Sequence, residues 1–254
     1  MSTLDPSGLG TVLGVWAHPD DETYLSAGVM ALAADAGSRV VCITATRGEA
    51  GTPDPERWPP AEMARIRETE LLTALAVLGV EEHRWLDYPD GGCAAVALDE
   101  GTGRVLEILD EVRPDTVLTF GPDGMTGHPD HKTVCAWATE AVRQRRDTSA
   151  RLHYATLERS WIEPFVDVLV GSGAYEDGAR PPSVPAAALS IDCRLGPDVH
   201  ERKLAALRAQ ASQVEPLIAA VGEEVYRRLT NAEFFRAASV GDVSVATRTS
   251  DAPD

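Results

Sequence analysis

An α/β fold, with a mostly parallel Rossmann-like sheet flanked by helices, is predicted by three features of this chain. Short apolar runs rich in β-branched residues alternate with longer segments of helical character. Gly and Pro residues punctuate the joints between them. Two of the apolar runs lead directly into polar clusters, as strands do at the carboxyl edge of a parallel sheet. The helices between strands serve as the right-handed crossovers that parallel pairing requires.

The elements follow in order. Residues 1–10 read as a loose leader, and Val12–Trp16 as the first strand. A helix runs from Glu22 to about Gly37, its acidic amino end matched to the helix dipole. Val40–Thr46 is a second buried strand. Residues 47–60, with two glycines and four prolines, form a loop. Glu62–Leu78 is a helix closed by Gly79, Arg84–Leu86 a short strand, and Pro89–Gly92 a tight turn. Gly103–Val112 reads as helix and Thr116–Phe120 as strand. Residues 121–128 are a glycine-rich loop. Asp130–Arg146 is then a helix capped by Asp130, and Leu152–Leu157 a strand. After residue 160 the pattern weakens. Ser172–Pro185 reads as loop, Ala186–Cys193 as an edge strand and Pro197–Gln213 as one helix. The expected organisation is a single domain over 1–240. Its core spans about 11–160, a smaller carboxyl-terminal portion (161–240) covers the active-site edge, and 241–254 is a frayed tail.

Composition narrows the function. With 44% hydrophobic residues the chain can bury a core, and its net charge of -17 argues against nucleic acid or an anionic membrane surface. No apolar run approaches the roughly 20 residues that span a bilayer, so membrane insertion is not expected. No basic residue precedes Arg39, which argues against a secretory leader and for the cytoplasm. Cys42, Cys93, Cys135 and Cys193 lie far apart and are expected to be reduced and mostly buried. His83, His153 and His200 have no chemical context and read as packing or surface residues.

The polar clusters carry the chemistry. Ala17-His18-Pro19-Asp20-Asp21-Glu22 follows the first strand, and Gly127-His128-Pro129-Asp130-His131 follows the fourth. A catalytic zinc takes three His or carboxylate ligands and leaves one position for water. His18 and Asp21, three apart, can face one ion, with His131 as the third ligand. Asp20 is then free to act as general base, and His128 to donate to the oxyanion of a tetrahedral intermediate. Asp130 can hydrogen-bond an imidazole and fix its tautomer. Iron would suit the same ligands as zinc.

These clusters, with Thr46-Arg47-Gly48-Glu49-Ala50-Gly51 and Arg67-Glu68-Thr69-Glu70-Leu71 in the same order, resemble the LmbE-like, or PIG-L, family of zinc-dependent N-acetylglucosaminyl deacetylases. The likeness covers about residues 11–160. It implies one zinc per chain on His18, Asp21 and His131, Asp20 as base, and His128 at the oxyanion or the leaving amine. It also implies substrate contacts from Arg67 and Asp90, with Glu49 lining the pocket. The implied enzyme is an amidohydrolase acting on a small N-acetylated sugar or glycoconjugate, with a homo-oligomer admitted. The mycothiol-pathway deacetylases of this family carry a tyrosine two residues before the histidine matched by His128, where this chain has Thr126. Rivals are an amidase for a larger amide such as a thiol conjugate, a two-metal phosphoesterase, and a non-catalytic metal or sugar binder. The phosphoesterase needs more ligands than the clusters offer. The binder has no use for a spare Asp20.

Overall fold

The computed structural model describes residues 5–145, 150–176 and 178–239. The expected tail at 241–254, and the end of the fourth helix at Arg146, lie outside these residues.

The strands are β1 (Val12–Trp16), β2 (Val40–Thr46), β3 (Glu82–Tyr88), β4 (Thr116–Phe120), β5 (Arg151–Glu158), β6 (Ser183–Val184), β7 (Ile191–Arg194) and β8 (Ala232–Ala237). The sheet order is β3-β2-β1-β4-β5-β8-β7, with β6 paired beside β5. The first five strands of this order are parallel, while β8 runs antiparallel to both β5 and β7. Every residue of β1, β2 and β4 is buried. That explains their unbroken apolar character, since a parallel strand is covered on both faces.

The crossovers are α1 (Asp21–Asp35), α2 (Pro60–Leu78), α3 (Leu98–Val112) and α4 (Pro129–Gln144). The order 3-2-1-4 reverses between β1 and β4. The crevice at the carboxyl ends of these two strands is therefore the natural ligand site of the sheet. Both polar clusters open there. Beyond β5 come α5 (Arg159–Ile162), α6 (Val166–Gly171), α7 (Pro197–Ala209), α8 (Ala211–Val221) and α9 (Glu223–Leu229). No helix among the described residues is long and apolar enough to cross a membrane.

Several expectations need correction. The leader is not wholly loose: Pro6–Gly8 forms a 3-10 turn, and Leu9 is buried with its carbonyl accepting from the Thr116 hydroxyl. Helix α3 begins at Leu98. Gly101 sits inside it because a Cβ there would meet the Trp137 ring at 2.1 Å, so the glycine marks close packing rather than a break. The cap of α4 is His128, whose Nδ1 accepts from the Asp130 amide, and Asp130 lies within the first turn. Residues Ala186–Ala188 form a 3-10 turn, so the edge strand is only β7. The expected helix Pro197–Gln213 is two helices. Gln210 breaks it, with its side-chain amide donating to Glu22 Oε1 and Thr23 Oγ1.

Candidate active site

Trp16 ends β1, and the chain turns sharply through His18-Pro19-Asp20 into α1. Asp20 has φ 123°, a left-handed conformation rare outside glycine. Such strain persists only where neighbours hold it. Here the buried Glu22 accepts from the Asp20 amide at 3.0 Å, and Arg67 donates to the Pro19 carbonyl. The turn folds back so that the His18 amide donates to Asp21 Oδ2 at 2.7 Å. Phe120, the last residue of β4, stacks on the His131 ring with centroids 4.1 Å apart. Each strand end thus positions one histidine.

The two histidines have defined tautomers. His131 Nδ1 lies 2.9 Å from the Gly124 carbonyl, which can only accept, so Nδ1 carries the proton. His18 Nε2 lies 3.0 Å from Asp90 Oδ1 and 3.4 Å from Asp130 Oδ2, which likewise accept. Their inward atoms, His18 Nδ1 and His131 Nε2, stand 3.1 Å apart. Asp21 places Oδ1 3.3 Å from His131 Nε2 and Oδ2 3.6 Å from His18 Nδ1. Ligand atoms around a tetrahedral ion with bonds of about 2.1 Å stand roughly 3.4 Å apart. The three groups match that spacing and converge electron pairs on one point. His18, Asp21 and His131 are all buried.

Electrostatics agree with a site that draws in positive charge. Burial disfavours charge on His18, yet hydrogen bonds to Asp130, Asp21 and Asp90 outweigh it and raise its pKa well above 6.5. Burial lowers His131 to about 4, with His18 and His128 adding to the effect against Asp21. For Asp21, burial pushes upward, but His131 and His18 prevail and hold it near 2.

His128 is close enough to His18 and His131 to be grouped with them as a ligand. Its Nδ1 accepts the Asp130 amide at 3.1 Å, so in the neutral ring Nε2 keeps a proton and is a donor. Asp90 and Asp130 also group with His18. Their oxygens are engaged: Asp130 accepts the Gly91 and Cys93 amides, and Asp90 the Ala50 amide. Both carboxylates also lie within hydrogen-bond reach of His18 Nε2, which fixes the orientation of that ring.

Asp20 lines the same cavity and is part-exposed. Burial pushes it up to about 8, opposed by Arg67 and aided by Asp21 and Glu22. Its Oδ2 faces Arg67 Nη2 at 3.3 Å. Arg67 is buried and also donates from Nη1 to the Gly48 carbonyl at 3.0 Å. Gly48 has φ +66°, and a Cβ there would meet the guanidinium at 2.4 Å, so only glycine fits. Glu49 Oε1 accepts the Asp90 amide at 2.9 Å, supporting the turn that carries Asp90. Neither Glu49 nor Asp90 is among the residues lining the cavity. Thr126 does line it, with Oγ1 3.3 Å from His131 Nδ1.

Sequence reading assigned no role to Glu22 or Gln210. Glu22 lies inside the first motif, and a fully buried carboxylate beside a strained turn is the physical reason for it. Nothing local marks Gln210.

A buried donor cluster at the switch point of a parallel sheet, beside a part-exposed carboxylate and an imidazole donor, is an arrangement suited to metal-assisted hydrolysis. The family model described as GlcNAc-PI de-N-acetylase, PIG-L, matches residues 13–142, and the chain belongs to that family. A 1D-myo-inositol 2-acetamido-2-deoxy-alpha-D-glucopyranoside deacetylase of Kineococcus radiotolerans is 37% identical over 168 residues, 52% of this chain and 46% of that one. Its counterpart in Acidothermus cellulolyticus is 33% identical over 235 residues, covering 80% of each chain. The N,N'-diacetylchitobiose deacetylase of Pyrococcus horikoshii superposes with TM-score 0.64 at 24% identity, over 94% of this chain and 87% of that one. At that identity the structural likeness speaks for the fold alone.

Proposed function

We propose that this protein removes acetate from an N-acetylglucosamine-type glycoconjugate, using one divalent ion held by His18 Nδ1, His131 Nε2 and the Asp21 carboxylate. The observation that carries the reading is the convergence of those three electron pairs beside an Asp20 that is not needed to hold the ion. Zinc suits two imidazoles and a carboxylate, and iron would suit them too. The ion supplies Lewis acidity and makes water nucleophilic near neutral pH.

The chain's own residues do the rest. Asp90 and Asp130 hold the His18 ring, and Gly124 holds the His131 ring, so both ligands are set before substrate arrives. Asp20 Oδ2 rests on Arg67, leaving Oδ1 to take the proton of the attacking water. His128 donates a hydrogen bond from its Nε2–H, keeping the proton, to the oxygen that gains charge as the carbonyl becomes tetrahedral. Asp20 then returns its proton to the departing nitrogen, and an amine and acetate result.

Support also comes from the relatives, named as deacetylases of an acetamido sugar joined to inositol. The test is acetate and free-amine release from a panel of N-acetylglucosaminides, with and without a chelator. Release that a chelator abolishes and added zinc restores is expected. Purified protein that releases no acetate from any member with zinc present would overturn the reading.

A further inference from the structure

Asp20 stands at the N-cap of α1, where an aspartate ordinarily turns its carboxylate onto the amides of the first turn. Here it makes no such bond. It lines the cavity instead, its carboxylate against Arg67, with the backbone held at φ 123°. A group other than the Asp20 side chain must therefore fix the turn. Glu22 does so, since its Oε2 accepts the Asp20 amide at 3.0 Å.

The other oxygen of Glu22 is held from far along the chain. Glu22 Oε1 accepts from the Thr23 hydroxyl at 2.5 Å and from Gln210 Nε2 at 2.6 Å. The same Nε2 donates to Thr23 Oγ1 at 3.0 Å. A carboxylate can only accept, so the amide nitrogen of Gln210 is the atom that faces it. Glu22, Thr23 and Gln210 are 0%, 0% and 1% exposed, and all of these donors are neutral. Gln210 Oε1 is buried without a hydrogen-bond partner, which costs stability. The bonding value of this side chain lies wholly in its donor end.

Gln210 separates α7 from α8, and the residues after it extend the pattern. Ser212 donates from its amide and hydroxyl to Glu70, about one turn along α2 from Arg67. Gln213 Nε2 donates to the Gly51 carbonyl, in the loop whose Gly48 carbonyl Arg67 holds. The start of α8 thus braces Asp20 from two sides. It reaches the backbone through Glu22 and the Arg67 contact through α2 and the loop.

We infer that Gln210 is a positioning residue for Asp20. Its amide fixes the Glu22 carboxylate, and Glu22 fixes the turn that aims Asp20 at the attacking water. The inference rests on the deacetylase reading above. It adds to that reading a residue of the carboxyl-terminal portion that does not line the cavity.

Gln210→Met keeps the length of the side chain and removes its donor. Thr23→Val removes the other side-chain donor onto Glu22, keeps the shape, and serves if the first variant does not fold. With an N-acetylglucosaminide as substrate, kcat is expected to fall at least about tenfold, with KM within about twofold and bound metal at the wild-type level. Amide exchange, followed by NMR on the full chain, reads the turn without turnover. Exchange of the Asp20 amide is expected to quicken at least about tenfold, with the amides of β1 and β4 unchanged. Unchanged Asp20 exchange in a folded variant overturns the brace. A wild-type kcat, or a loss of activity carried by KM or by metal content, overturns the positioning role. If neither variant folds, the network is structural and the positioning role also falls. If the wild-type chain releases no acetate with zinc present while Asp20 exchange still quickens in the variant, the deacetylase reading falls and the brace on the turn stands.

Discussion

The proposed function gives the neighbours Asp20 and Asp21 different tasks, and single substitutions separate them. Asp20→Asn keeps the ion and removes the base, so kcat falls about 10²–10⁴-fold while metal content stays at the wild-type level. Loss of the ion in that variant would show that Asp20 is a ligand. Asp130→Ala leaves all three ligands in place but frees His18 to turn. Metal affinity, read by chelator competition, then falls about 10–100-fold. Unchanged affinity would mean that Asp90 alone holds the ring. The meeting of His18, Asp21 and His131 was legible from sequence because a histidine and a carboxylate three residues apart after an apolar run is a local pattern. The orienting contacts were not legible to the same degree. Asp90 reads as a sugar contact in sequence, whereas the structure puts its Oδ1 against His18 Nε2, a juxtaposition made by folding.

At the scale of elements, the central strands were readable because strands covered on both faces are continuously apolar. The carboxyl-terminal portion was not, since its structure is set by distant partners. Strand β8 pairs antiparallel with β5 and β7, and Gln210 breaks the α7–α8 run only because Glu22 and Thr23 lie across from it. A buried ion pair joins three of these elements. Lys203 on α7 and Glu233 on β8 meet at 2.7 Å with side chains 1% and 0% exposed, and both also bond backbone groups of α1. Glu233→Gln strips Lys203 of its countercharge. It is expected to destabilise the fold by about 3–5 kcal/mol in denaturant titration, whereas replacing both partners with apolar residues costs less. A loss below about 1 kcal/mol in the single variant would show that the pair is dispensable.

For the whole molecule, the buried His153 and the half-buried His83 set the acid limit. Burial, with Arg151 nearby, lowers His153 to about 4, and burial with Arg47 and Arg84 does the same to His83. A depressed folded pKa means that the unfolded chain binds more protons between about 4 and 6.5. Stability is therefore held above pH 6.5 and lost as pH falls through that window, by at most about 1.4 kcal/mol per pH unit for each histidine. Melting temperature against pH measures it, and His153→Gln should flatten the slope. An unchanged slope would assign the loss to other groups. Sequence could place His153 among packing residues, but not in a pocket that keeps it neutral. The strong negative charge of the chain was plain from composition, and it bears on partners rather than on fold.

The proposed function requires one cation gripped by His18, Asp21 and His131 together. Metal analysis of the purified protein beside H18A, D21A and H131A tests it most directly. About one divalent ion per wild-type chain is expected after gel filtration, with most of it lost in each variant. An ion retained undiminished by any of the three, or a wild-type chain that takes up none from a zinc-containing buffer, would contradict it.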